Sequence, residues 1–318
     1  MFEACRIPIL LPRPTLDAVT APHVYVINLD GSDRRMCEMR ADLDREGLAF
    51  TRVAAVDGRN RAASSFPQYR ETHAVSFLGR KLLSGEVACS LSHLACVTRF
   101  LASGERYALV LEDDSVMEVG FATRVVEIVR VLEQHPSLDW HVVHLSSPGL
   151  KLSTPLAGIG DFSLHHAHYF PMRTTAILWS RAGAQAFVNL PPVIFAPIDL
   201  FFRYWVTRTG KGLAATPALA LDRMGVSEID NQHGTLTRHG GYRGIAFFLR
   251  KQRRIGLGKL VALRQLLFVR LTQALRGQAS PPLREPHSSR GRAVHGAVGT
   301  GPVASRSATS RAVAAVGD

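Results

Sequence analysis

The sequence predicts an α/β fold with a mainly parallel sheet, and three observations carry the prediction. Short apolar runs rich in β-branched residues recur along the chain and alternate with helix-compatible stretches of about ten to sixteen residues. The first two runs close on the turn pairs Asp30-Gly31 and Asp57-Gly58. The run Tyr107-Ala-Leu-Val-Leu111 is apolar throughout, as in a strand covered on both faces.

Taken in order, residues 1–21 read as an extension. Glu3, Pro8 and Pro12 interrupt its apolar stretch, so neither a secretory signal nor a membrane anchor is expected there. Residues 23–29 form a strand, and Ser32-Asp33 opens a helix reaching about Glu46. Residues 50–56 form a second strand, and the polar, aperiodic residues 59–81 read as a long loop. Ser84 is placed to cap a helix with Val87, Leu91, Leu94, Thr98 and Leu101 on its buried face, while Glu86, Ser90 and His93 share another face. Gly104 stops that helix before the strand at 107–111. A helix over 121–134 ends before Pro136, and a strand over 140–145 leads to a Gly/Pro/Ser loop over 146–160. A strand over 174–179, a helix over 180–188 ended by Pro191-Pro192, and a helix from Asp199 through Trp205 complete a body that closes near Asn231. The domain is drawn at 22–240.

Charge separates the two ends. Of 38 Lys+Arg and 26 Asp+Glu, 15 bases and two acids lie after residue 237, leaving 38 − 15 = 23 bases and 26 − 2 = 24 acids before it. The body therefore carries −1 and the tail +13. Residues 241–277 read as a basic amphipathic helix, with Leu260, Val261, Leu267, Phe268, Leu271 and Leu275 at helical spacing and Arg264 and Arg270 between them. Residues 278–318 hold almost no large apolar groups and are expected to stay disordered. Four scattered cysteines (Cys5, Cys37, Cys89, Cys96) fit a reduced compartment better than a disulfide framework.

Chemistry concentrates at Glu112-Asp113-Asp114, where three adjacent carboxylates end an apolar strand and repel one another. In extended backbone Glu112 and Asp114 point to one side and Asp113 to the other, so two carboxylates can hold a divalent cation and leave positions for phosphate oxygens. A solvated turn is the alternative. Of the thirteen histidines, His165, His166 and His168 match no metal-ligand spacing and read as a polar loop or strand edge.

Several blocks occur in a characteristic order. Val26-Ile-Asn-Leu29 is followed by Arg34-Arg35, then Ala55-Val-Asp-Gly58, then Leu83-Ser-Gly-Glu-Val-Ala-Cys-Ser-Leu-Ser-His93, then Leu109-Val-Leu-Glu-Asp-Asp114. Asp139-Trp-His-Val-Val-His-Leu145, the segment opening Thr175-Ala-Ile-Leu-Trp179, and Pro197-Ile-Asp199 continue it. In this arrangement residues 22–231 resemble glycosyltransferase family 25, which contains bacterial lipooligosaccharide galactosyltransferases and procollagen-modifying galactosyltransferase domains. The resemblance implies a GT-A type, Rossmann-like nucleotide-sugar fold, a UDP-sugar donor (commonly UDP-galactose), Mn²⁺ or a similar cation at Glu112 and Asp114, and inversion at the anomeric carbon. Asp199 is the candidate base for the acceptor hydroxyl, with a helix cap as its other reading, and Asp113 is the second candidate. Asn28, Leu29 and Arg35 at the first strand's mouth are expected at the donor, as is Asp57 against ribose or uracil. Glu86 and His93 are placed at the donor pocket without a chemical role, and His233 is a possible further metal ligand.

The expected activity is transfer of a hexose to a saccharide acceptor, lipid-linked, in lipopolysaccharide or lipooligosaccharide synthesis. The basic helix would sit on an anionic bilayer, at the cytoplasmic face of the plasma membrane. The alternatives are a protein or other glycan acceptor, a non-catalytic nucleotide-sugar binder, or a nucleic-acid binder using the basic tail. No aromatic interleaving or nucleic-acid motif accompanies that tail, so nucleic acid is not the expected partner.

Overall fold

The computed structural model describes residues 21–223 and 245–275. Residues 1–20 of the expected extension at 1–21, His233, the body's closure near Asn231 and the tail at 278–318 lie outside the described residues.

Alternation of side chains along the strands sets up two apolar layers on one sheet. Strand β1 (His23–Asn28) sends Val24 and Val26 to one face and Tyr25 and Ile27 to the other, and β3 (Tyr107–Glu112) divides Leu109 and Leu111 from Ala108 and Val110 in the same way. The first face is covered by α1 (Asp33–Arg45) through Met39 and Leu43, and by α4 (Phe121–Glu133) through Phe121, Val125, Ile128 and Leu132. The second is covered by α3 (Ser84–Ser103), α5 (Arg181–Val188) and α6 (Ile198–Thr209), whose Phe100, Phe187, Phe202 and Trp205 pack around Trp179. Each such side chain contributes about 1.5–3 kcal/mol on burial, so both faces resist exposure.

The sheet has eight strands. With β2 (Phe50–Ala54), β5 (Val142–His144), β6 (Lys151–Ile159), β7 (Phe162–Tyr169), β8 (Ala176–Ser180) and β9 (Gly212–Thr216), the order is β2-β1-β3-β8-β5-β9-β7-β6. Six strands run the same way, as a mainly parallel sheet requires, but β8 and β7 are reversed and make the sheet mixed. A two-stranded ribbon pairs β4 (Ser115–Met117) with β10 (Ala220–Asp222).

Local departures from the sequence reading have identifiable causes. Residues 59–81 are not all loop: α2 (Glu71–Leu78) forms within them, and Ala74, Leu78, Phe66 and Tyr69 pack against Val87 in a satellite core. Residues 146–160 contain β6, which turns at Gly160 into β7, so the three histidines lie inside a paired strand rather than at an edge. In α3 the deepest face is Cys96, Val97 and Phe100, whereas Thr98 is exposed, because the helix is packed on several sides. Its N-cap position is Leu83 rather than Ser84, and the Glu86 carboxylate accepts the Leu83 N–H at 2.9 Å.

The basic helix is continuous over α7 (Ile245–Leu275) and packs on α2, α6, β6 and β7. The small Gly258 and Ala262, with Leu266, form its body-facing stripe, and Gln265 Nε2 donates to the Thr207 carbonyl at 2.8 Å. Leu260, Leu267, Phe268, Leu271 and Leu275 remain exposed. Among the described residues, no helix is long and apolar enough to cross a membrane.

Candidate functional site

A cleft of about 740 Å³ of open space lies at the carboxyl ends of the parallel strands β1, β2 and β3. Leu29 and Arg35 line it from β1 and α1, Val56 and Gly58 from beyond β2, and Gly85, Cys89 and Ser92 from α3. Gly58 is required for the close approach: a Cβ there would stand 2.8 Å from the Ser84 carbonyl oxygen. Ser92 Oγ accepts the Val56 N–H at 2.9 Å and fixes the same crossing.

Glu112, Asp113 and Asp114 all reach this cleft. The alternation expected of an extended segment does not hold, because β3 stops at Glu112 and the next two residues turn. Asp113 is held from two sides: Asn28 Nδ2 donates to Oδ2 at 2.7 Å and Arg35 Nη1 to Oδ1 at 3.2 Å. Glu112 Oε1 accepts from Thr174 Oγ1 at 2.5 Å and pairs with the fully buried His93 Nε2 at 3.1 Å. Burial raises the Glu112 pKa, but the His93 and Thr174 contacts and the Arg35 charge outweigh it and hold the carboxyl below its usual range.

At Asp114 the Arg35 charge opposes the upward shift from burial but does not outweigh it. Burial, then the charges of Glu112 and Asp113, push its pKa from 3.8 to about 7, and its Oδ1 is buried without a partner among the described residues. A cluster of hard oxygen donors with one carboxylate under this pressure fits a divalent cation. Cys89, His93 and Glu112 also bring one ligand atom each to within 4.8 Å of one another.

Asp199 sits in the first turn of α6 behind Pro197 at the N-cap position, and its Oδ1 accepts the Leu200 N–H at 2.6 Å. Burial raises its pKa against that bond, and Glu112 and Glu86 add to the rise. Asp199 does not line the cleft, yet it shares a neighbourhood with the acidic turn. The Cys89 thiol is pushed up first by burial and then by Glu112, Asp199, Asp114 and Glu86.

The remaining expectations divide. Leu29 and Arg35 line the cleft, whereas Asn28 turns its amide to Asp113 and accepts from Arg52 Nε at 2.8 Å. Asp57 is exposed beside the cleft and bound by Arg59, whose guanidinium and N–H bonds hold its carboxyl below the usual range. Glu86 does not line the cleft: it is buried in a pair with Arg80 at 2.6 and 2.8 Å while capping the N-terminus of α3. His93 lies behind Glu112 rather than on the cleft wall. Cys89, Ser92, Thr174 and Arg52 went unassigned in the sequence. Cys89 and Ser92 stood within the Leu83–His93 block, while nothing near Thr174 or Arg52 marked their distant partners.

Residues 21–144 match the family model described as "Glycosyltransferase family 25 (LPS biosynthesis protein)". Procollagen galactosyltransferase 1 of Danio rerio is 30% identical over 203 residues, covering 60% of this chain and 32% of that protein. The probable inactive glycosyltransferase 25 family member 3 of Rattus norvegicus is 30% identical over 188 residues, covering 56% of this chain and 32% of that protein. The chain thus spans about a third of the length of these curated relatives. A crystal structure of a glycosyltransferase involved in glycosylation of the major capsid of PBCV-1 aligns with TM-score 0.32 and 12% identity, covering 68% of this chain and all of that one.

Proposed function

With residues 21–144 matching glycosyltransferase family 25, we propose that this chain transfers a hexose, galactose in the first instance, from a UDP-sugar to an acceptor hydroxyl with inversion on a GT-A type fold. The observation that carries the reading is Asp114, its pKa raised and its buried Oδ1 without a partner among the described residues, beside Glu112 in a cleft at the strand ends. Uridine and diphosphate enter between Leu29, Val56 and Gly58 and the first turns of α3, where Arg35 meets a phosphate while keeping its hold on Asp113. Glu112 and Asp114 would hold Mn²⁺ or a similar ion, which would supply positive charge at the departing diphosphate. His93 and Thr174 fix the Glu112 carboxylate as an anion, so the donor end of the site is set before substrate arrives.

Asp199 takes the acceptor's proton. Its raised pKa makes it a stronger base than an exposed aspartate, and its Leu200 N–H bond orients one oxygen and leaves the other for the hydroxyl. Asp113 is the weaker candidate because Asn28 and Arg35 already engage both its oxygens.

The acceptor is read as a lipid-linked saccharide of lipopolysaccharide or lipooligosaccharide type. The family model's description and α7 support this: exposed Phe248, Leu249, Leu267, Phe268 and Leu271 lie beside the exposed Arg250, Arg253, Lys259, Arg264 and Arg270, a composition suited to an anionic bilayer at the cytoplasmic face. The procollagen galactosyltransferase names of the relatives favour a second reading, a protein hydroxyl as acceptor.

The test is release of UDP from a panel of UDP-sugars with Mn²⁺, with chelator, and after Asp114→Asn. UDP-galactose turnover that both chelation and the substitution abolish is expected. Turnover indifferent to chelator would remove the metal from the reading, and no turnover of any donor would leave a non-catalytic nucleotide-sugar binder.

A further inference from the structure

A second pocket, of about 610 Å³, lies between α6, the end of β7 and α7. Four cations line it, Arg203 and Arg208 from α6 and Lys251 and Arg254 from α7, and no carboxylate residue is among its lining residues. None of the four makes a salt bridge to another described residue. Like charges brought together repel, and among the described residues only the Asp199 charge, acting on Arg203 from outside the pocket, offsets them, so an anion in the pocket would be favourable.

The guanidiniums are held in place by contacts that leave their charge intact. Arg203 donates to the Phe170 carbonyl at 2.8 Å and lies 4.7 Å from the Tyr169 ring centroid; Arg208 donates to the Tyr204 carbonyl at 3.1 Å and lies 3.7 Å from the Tyr204 ring. Arg254 Nη1 donates to the Phe77 carbonyl at 2.7 Å, while its Nε is buried with no partner among the described residues. Burial lowers the pKa of Arg203 and of Arg254, so both cations carry a desolvation cost here.

We propose that this pocket binds a phosphomonoester carried on a sugar or lipid headgroup, held by Arg203, Arg208, Lys251 and Arg254. Guanidinium pairs match phosphate oxygens in a bidentate manner, and the open space suits a hexose phosphate. Arg203 is one turn along α6 from Asp199, whose charge acts on it, so a phosphate here stands next to the candidate base. That the ligand is part of the acceptor rests on the glycosyltransfer reading; that the pocket binds a phosphomonoester does not.

The experiment titrates the full chain with glucose 6-phosphate and with glucose, by calorimetry, for the wild type, Lys251→Glu, Lys251→Arg and Arg208→Ala. Lys251 is an exposed helix residue, so its replacement leaves folding intact. Binding of the phosphate but not of glucose is expected, weakened at least about tenfold by Lys251→Glu and by Arg208→Ala and retained by Lys251→Arg. A lipid source is read from vesicles: no glucose 6-phosphate binding, but a preference for phosphatidate over phosphatidylglycerol that Arg208→Ala removes, supports the pocket with a headgroup as ligand. Glucose 6-phosphate bound no better than glucose with no phosphatidate preference, or binding untouched by both disruptive variants, overturns it. UDP binding measured on the same samples reports on the strand-end cleft, so failure of either site is told apart from failure of the other.

Discussion

Replacing Asp114 by Asn is expected to stabilise the metal-free protein while removing its activity. The carboxyl is moved from 3.8 to about 7 by burial and by Glu112 and Asp113. Because its folded pKa is raised, the folded state binds more protons than the unfolded chain between about pH 4 and pH 7, and stability falls as pH rises through that window. At about 1.4 kcal/mol for each tenfold change in proton affinity, the ceiling on this penalty is about 4 kcal/mol. Water entry and side-chain relaxation reduce it, and about 2 kcal/mol is expected in practice, or roughly 4–8 °C in melting temperature for a domain of this size. The assay is thermal unfolding of both proteins without divalent cation at about pH 5 and about pH 8. The variant should gain most at the higher pH, and added Mn²⁺ should raise the wild type while leaving the variant where it was. A variant that melts lower than the wild type by the same margin at both pH values would show that the carboxylate is not under electrostatic pressure, and the argument for a cation there would go with it.

Asp199→Asn should lower sugar transfer by about 10²–10⁴-fold while UDP still binds; in the wild type the rate should fall as pH drops through a pKa above the ordinary carboxylate range, since the base must be ionised to act. Joint replacement of Phe268 and Leu271 by Asp, at sites 67% and 60% exposed, should weaken binding to anionic vesicles by more than about tenfold without altering the melting temperature; equal flotation of variant and wild type would dismiss α7 as a bilayer contact.

The sequence by itself determined the strand-and-helix alternation, the β1, β3 and β8 strands, the acidic cluster and the division of charge between body and tail, because each is written in consecutive residues; that the cluster turns rather than continuing the strand was decided by the fold. Period-two burial in Val24 to Ile27 and the Gly104 stop are local facts, readable without a partner. It missed α2 and the β6–β7 hairpin, whose weak patterns are completed by distant packing, Tyr69 and Leu78 on Val87 in one case and β9 pairing in the other. Tertiary structure alone decided which acids share a site and what each one feels. Glu112 is kept ionised by a histidine nineteen residues upstream and a threonine sixty-two residues downstream, and Asp114, two positions along, is pushed the opposite way. It also turned Glu86 from a pocket residue into a buried N-terminal cap of α3, and set α7 against α6 so that four cations with no local reason to meet line one pocket. Electrostatic environment depends on through-space neighbours and on exclusion of water, and neither is encoded in spacing along the chain.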